Sequence, residues 1–170
     1  MQKTKSKKKL KCYVLMVAET FPVGHPKAGL PTLFKEKILK GEKVHTIRKN
    51  SKLWANRVYD VLTGKAYISI RTWTGKPYHS KQKQFAVLQK VGFELFGMDR
   101  PTSKSEAPDV FWQIGQAKCG SHLWDVAKND GLSYEDFKSW FFPCDSKPAN
   151  FNGCILHFSD FRYNKNELTL

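Results

Sequence analysis

The sequence predicts an α+β domain, a small β-barrel or twisted mixed sheet flanked by three or four helices. Three observations carry that expectation. Short runs rich in Val, Ile, Tyr and Phe recur along the chain and read as strands. Between them lie segments whose apolar residues repeat at helical spacing. The chain has 170 residues, 41% of them hydrophobic and 14% aromatic. A chain of that size buries about 70% of its unfolded surface and needs no disulfide or metal staple. Layered α+β packing is how such elements cover one another's apolar faces.

Taken in order, residues 1–11 (MQKTKSKKKLK) hold six Lys and no acid, and are expected to form a disordered tail ahead of one domain over 12–165. Residues 12–18 (CYVLMVA) read as a buried strand. Pro22, Gly24, Pro26 and Gly29 make 21–29 a loop. Thr32 offers an N-cap for a helix with Leu33, Phe34 and Ile38 on its apolar stripe, and Gly41 stops it. Residues 44–48 read as a strand, and 52–62 as a helix ended by Gly64. A strand over 66–73 leads into turn chemistry at 74–77 (TGKP), and 85–91 is a further strand candidate. The stretch 100–108 reads as a loop insertion, and Ser121 as the cap of a short helix through Lys128. Ser133 and Asp136 make a capping box with Asp in place of Glu, and Leu132 and Phe137 make the accompanying hydrophobic staple. Pro143 ends that helix, and 153–158 (GCILHF) reads as a closing strand.

The net charge of +14 arises from 29 Lys+Arg against 15 Asp+Glu. Beyond the tail, the other 159 residues keep 23 basic against 15 acidic residues, a net +8, so the body is basic too. Such a surface attracts polyanions, and RNA or a nucleotide is the expected partner. A solvated surface with a sticky tail is the plainer reading of the same charge. No apolar run approaches a membrane span, and the first residues lack the apolar stretch of a secretory signal. Cys12, Cys119, Cys144 and Cys154 form no CxxC pair, so a reducing cytoplasmic setting is expected; separately, the domain is expected to be a monomer. Cys119 and His122, with Cys144 and Cys154, match no defensible zinc spacing, so no metal site and no cofactor are expected.

Residues 38–50 (ILKGEKVHTIRKN) carry the most information. On a strand, Thr46 and Arg48 share one face, and His45 and Ile47 the other. Lys43 is an odd number of residues from Thr46, so the two meet only if the chain bends between them, and Gly41 makes a bend cheap. Residues 68–82 (ISIRTWTGKPYHSKQ) interleave Arg71, Lys76 and Lys81 with Trp73 and Tyr78. Cations neutralise phosphate and aromatic faces stack bases, so these five, together with Arg48, are candidate RNA-binding residues. An exposed hairpin with one packed Trp is the alternative.

GEKVHTIR over 41–48 resembles the signature of ASCH domains, relatives of the PUA RNA-binding fold. VAKNDGLSYEDFKSWF over 126–141 resembles that family's acidic-Gly turn and short helix, and ILHF resembles its last strand. The resemblance spans most of residues 12–160, and it implies a PUA-like fold and RNA or modified-nucleoside binding. It also implies the activity of small bacterial ASCH proteins that hydrolyse the acyl amide of N4-acetylcytidine with a Lys, a Thr and an acid. Those roles fall on Lys43, Thr46 and Asp130, where Asp130 replaces the family's Glu. In that scheme a neutral Lys43 takes the Thr46 proton, Arg48 faces the oxyanion and an acid protonates the leaving amine. Three functions stay open at this point: an RNA- or nucleoside-binding module, an amidohydrolase, and a protein-interaction module using the aromatic surface.

Overall fold

Strand pairing in the computed structural model, which describes residues 9–100, 111–114, 117–118, 123–142 and 149–164, produces two separate sheets. The first has three strands in the order β1 (Lys11–Met16), β3 (Ala66–Trp73), β4 (Gln82–Leu88). β1 runs parallel to β3, and β4 antiparallel to it. The second has five antiparallel strands in the order β2 (His45–Arg48), β8 (Ala149–His157), β5 (Gly92–Arg100), β6 (Phe111–Ile114), β7 (Ala117–Lys118). Four helices complete the described residues: α1 (Phe34–Leu39), α2 (Ser51–Leu62), α3 (Leu123–Asn129) and α4 (Tyr134–Phe141).

The α+β class is therefore as expected, but the described strands do not close into a barrel. The physical reason lies at the junction of the sheets. There the Arg48 guanidinium on β2 donates to the Met16 carbonyl on β1 at 2.6 Å. One side-chain bond stands where a continuous wall would need a backbone ladder, and it leaves a seam.

Local chemistry explains most elements. In α2, Trp54, Val58 and Val61 fall on one face and are buried, while the Asn50 side chain accepts the Leu53 N–H at 3.2 Å as the cap. In α4, Ser133 accepts the Asp136 N–H at 3.1 Å, and Leu132 and Phe137 are both buried. Gly153 is required by close approach: a Cβ there would lie 2.2 Å from the Arg48 carbonyl oxygen across the β2–β8 pair.

Other expectations shift. Leu33, held left-handed at φ 58, takes the position before α1, and Thr32 serves the helix start from one residue earlier: its hydroxyl accepts the Phe34 N–H at 3.3 Å while donating to the Ala18 carbonyl at 2.7 Å. Lys11, assigned to the tail, opens β1 and pairs with Ala66. The strand expected over 85–91 occupies Gln82–Leu88, and the chain then turns into β5. Ser121, Pro143, residues 101–108 and residues 1–8 of the tail lie outside the described residues.

Buried side chains from both sheets and from α2, α3 and α4 join one apolar cluster, including Leu15, Ile68, Ile70, Val58, Phe96, Met98, Val126, Phe137 and Leu156. Among the described residues no helix is long and apolar enough to cross a membrane.

Candidate active site

The seam between the sheets opens into a cavity of about 280 Å³. Lys43, Thr46, Arg48 and Asp130 line it together with Phe34, Trp140 and Phe141, and Trp73, Pro77 and Tyr78 contribute from the hairpin after β3. Lys43 is 1% exposed and Tyr78 88%, so the polar group forms the floor and the hairpin the rim. Binding cavities run upward from about 300 Å³. This one is at the small end of that range.

Two turns bring the floor together. After α1, Gly41 takes φ 74, and the N–H groups of Glu42 and Lys43 both donate to the Lys37 carbonyl, at 2.8 and 3.1 Å. That bend lets Lys43 and Thr46 face the same space despite their odd spacing. After α3, Gly131 takes φ 79 while Leu132 N–H returns to the Ala127 carbonyl at 2.9 Å, a Schellman closure. The closure projects Asp130 inward. Val44 N–H donates to the Asn129 carbonyl at 2.9 Å and ties the two turns to each other.

Lys43 Nζ donates to the Asp130 carbonyl at 2.5 Å and to Asp130 Oδ1 at 2.6 Å. It also lies 4.2 Å from the centre of the Phe34 ring. Asp is therefore long enough here to reach the lysine. Burial pushes the Lys43 pKa down from 10.5 to about 8. The Asp130 charge and hydrogen bond oppose that fall, and the Arg48 and Lys37 charges add to it. Burial alone would raise the Asp130 carboxyl, but Lys43 and His45 outweigh it and hold it below the usual carboxylate range. Asp130 is thus an anion near neutrality, which does not suit it to the proton-donor role that the resemblance implies for an acid.

The remaining valences suit base chemistry. An ammonium has three N–H donors and a neutral amine two. With two bonds committed to Asp130, neutral Lys43 keeps its lone pair uncommitted. Thr46 is 3% exposed and lines the same space. Arg48 spends donors on the Met16 and Ile47 carbonyls at 2.6 and 3.1 Å, which fixes its guanidinium at the cavity wall. Further N–H groups of its fork remain for a ligand oxygen.

The hairpin residues divide. Trp73 and Tyr78 form a tilted pair with centroids 5.3 Å apart and both line the cavity. Lys76 and Lys81 lie on the turn that carries Pro77 and Tyr78, which Thr74 closes by donating its N–H to the Lys81 carbonyl at 2.9 Å. Arg71 shares the less buried face of β3 with Trp73 but does not line the cavity. Its guanidinium is taken by Ser69 Oγ at 2.8 Å and Gln82 Oε1 at 3.3 Å.

His45 was not legible as part of the site, because alternation assigns it to the opposite face from Thr46. It is fully buried, and its Nδ1 lies 3.6 Å from Asp130 Oδ1. Tyr163, whose hydroxyl meets His45 Nε2 at 2.9 Å, carries no sequence signal at a separation of 118 residues. Phe34, Trp140 and Phe141 read as apolar helix faces, and they also wall the cavity.

Among the described residues no group of three or more metal-ligating side chains occurs. Cys119, His122 and Cys144 lie outside the described residues, and buried Cys154 has its thiol pushed up to about 12 by burial. No protein-family model, curated protein or solved structure matches the chain.

Proposed function

We propose that the chain is an ASCH-type domain, PUA-like in its relationships, whose seam cavity takes one modified nucleoside and hydrolyses an acyl amide on its base. The observation that carries this reading is a lysine buried on the same cavity floor as Thr46 and bonded to Asp130 at 2.6 Å, where burial pushes its pKa down to about 8. A lysine kept only to bind phosphate would gain from staying fully charged. One brought near neutrality is suited to moving protons.

Neutral Lys43 takes the Thr46 hydroxyl proton while Thr46 Oγ forms a bond to the acyl carbon. The oxyanion faces Arg48. Collapse breaks the carbon–nitrogen bond, and protonated Lys43 returns its proton to the departing amine. A water molecule, deprotonated by Lys43, then cleaves the Thr46 ester, releases the carboxylic acid and restores the hydroxyl. Asp130 remains a carboxylate throughout and holds Lys43 in place. The apolar walls lower the local dielectric, which strengthens the Arg48 contribution.

Incubating the chain with N4-acetylcytidine and reading the products by mass spectrometry tests this. Release of cytidine and acetate, lost in Thr46→Ala and in Lys43→Ala, is the expected result. No release at enzyme excess would overturn the hydrolase reading.

A second reading draws on Lys76 and Lys81 at the rim. With Trp73 and Tyr78 they suit an RNA chain that threads one base into the cavity. It predicts salt-sensitive RNA affinity that survives Thr46→Ala.

A further inference from the structure

Behind the cavity floor lies a polar chain that the reaction above does not use. His45 is fully buried on β2, with Nε2 2.9 Å from the Tyr163 hydroxyl. Asn129 Nδ2 donates to the same hydroxyl at 2.9 Å. On the other side of the ring, Nδ1 has no hydrogen-bond partner and faces Asp130 Oδ1 at 3.6 Å. Tyr163 is itself clamped. Its N–H donates to Glu94 Oε2 at 3.1 Å, the Asn164 N–H donates to Glu94 Oε1 at 2.7 Å, and His157 Nε2 meets Glu94 Oε2 at 2.5 Å.

Donor counting fixes the direction of the chain. An amide N–H can only donate, so Asn129 occupies a lone pair of the Tyr163 oxygen and leaves its single proton to be given away. His45 Nε2 at 2.9 Å is the near acceptor; the Asp125 carbonyl at 3.4 Å is the far one. Nε2 then accepts, and the ring proton of neutral His45 must be on Nδ1, which faces the carboxylate. Burial, the first cause, holds the His45 pKa below its ordinary value and keeps the ring neutral, as this arrangement requires. The orientation places an N–H dipole, otherwise orphaned in the interior, against the one anion within reach.

We infer that Tyr163 and His45 are positioning residues: a relay running Asn129 to Tyr163 to His45 orients the Asp130 carboxylate and so holds Lys43 as the base. Its role in turnover rests on the hydrolase reading, but the relay itself can be tested without turnover. Lys43, Arg48 and Lys37 are the other charges near Asp130. His157 faces His45, and Glu94 and Asp125 face Tyr163. Tyr163→Phe changes none of these groups.

The experiment is an NMR titration of lysine side chains labelled at Cε, in wild type, Tyr163→Phe and His45→Asn. Removing the hydroxyl frees the histidine tautomer, so the N–H facing Asp130 is no longer enforced. The carboxylate then holds the Lys43 proton more tightly, and the Lys43 midpoint rises by at least about 0.5. That rise reduces the neutral base near pH 7 about threefold. Asn at 45 has no atom to meet the Tyr163 hydroxyl, so its amide is not oriented either and its midpoint rises as in Tyr163→Phe. If Tyr163 and His45 merely fasten the C-terminal segment, Tyr163→Phe lowers stability and leaves the Lys43 midpoint unmoved. That result overturns the relay, as would a His45→Asn midpoint that stays at the wild-type value while Tyr163→Phe raises it. Absence of turnover in wild type, by contrast, bears on the hydrolase reading alone, because the titration decides the relay either way.

Discussion

Replacing Asp130 by Asn keeps the shape of the cavity floor and removes its anion, and the electrostatics set the size of the effect. Holding Lys43 protonated at pH 7 with a pKa near 8 instead of 10.5 costs about 3 kcal/mol. Without the carboxylate the lysine pKa falls further, and the residue can fold neutral instead. Neutralising an otherwise exposed lysine at pH 7 costs about 5 kcal/mol. The lysine's share of the destabilisation is therefore capped at about 1–2 kcal/mol, because loss of the proton is always open to it. Asp130's own stabilised charge is lost as well. Asp130→Asn should then destabilise the fold by about 2–3 kcal/mol at pH 7, below the 3–5 kcal/mol of a buried charge left unpaired. At pH 9 Lys43 is largely neutral with or without Asp130, so both contributions shrink. Urea unfolding followed by tryptophan fluorescence at the two pH values measures this. A destabilisation equal or larger at pH 9 would refute the coupling on which the site rests.

The other expectations concern the base, the turn and the rim. Turnover at low substrate should rise with pH and level off above about 8, where Lys43 is neutral, and Lys43→Arg, which cannot deprotonate, should abolish it; a flat pH–rate profile would contradict the base assignment. Gly131→Ala strains a residue at φ 79 and brings a Cβ to 3.2 Å from the Lys43 Cβ. Thermal unfolding should show a loss of about 1–2 kcal/mol, with reduced turnover from a displaced Lys43. Trp73→Ala and Tyr78→Ala should each weaken nucleoside affinity in calorimetry by about 1–3 kcal/mol, while Arg71→Ala, which lies off the cavity, should change it little.

What could be read in advance was local. The Ser133 cap, the Leu132–Phe137 staple and the apolar face of α2 are encoded within a turn or two of helix, so the sequence states them directly. The bend at Gly41 was legible for the same reason, and with it the convergence of Lys43 and Thr46. The strand β5 was not. Its sequence, GFELFGMDR, interrupts the apolar pattern with two Gly, a Glu and an Asp. Glu94 is tolerated inside the sheet because His157, 63 residues away, lies against it and the Tyr163 and Asn164 N–H groups donate to its carboxylate. The seam was hidden as well, because it depends on Arg48 reaching the Met16 carbonyl instead of the chain continuing a ladder. His45 and Tyr163 show the general difficulty: alternation assigns a side chain to a face, but not to the partner that arrives there from another part of the chain.

The central claim is that the seam cavity holds a modified nucleoside with its acyl carbon at Thr46. A crystal structure of Thr46→Ala, soaked with N4-acetylcytidine, tests it most directly. The base should lie against Trp73 and Tyr78, with the acyl carbon within about 3–3.5 Å of where the missing hydroxyl would stand. Density for the nucleoside outside the seam, on the Arg71 face or elsewhere, would contradict it.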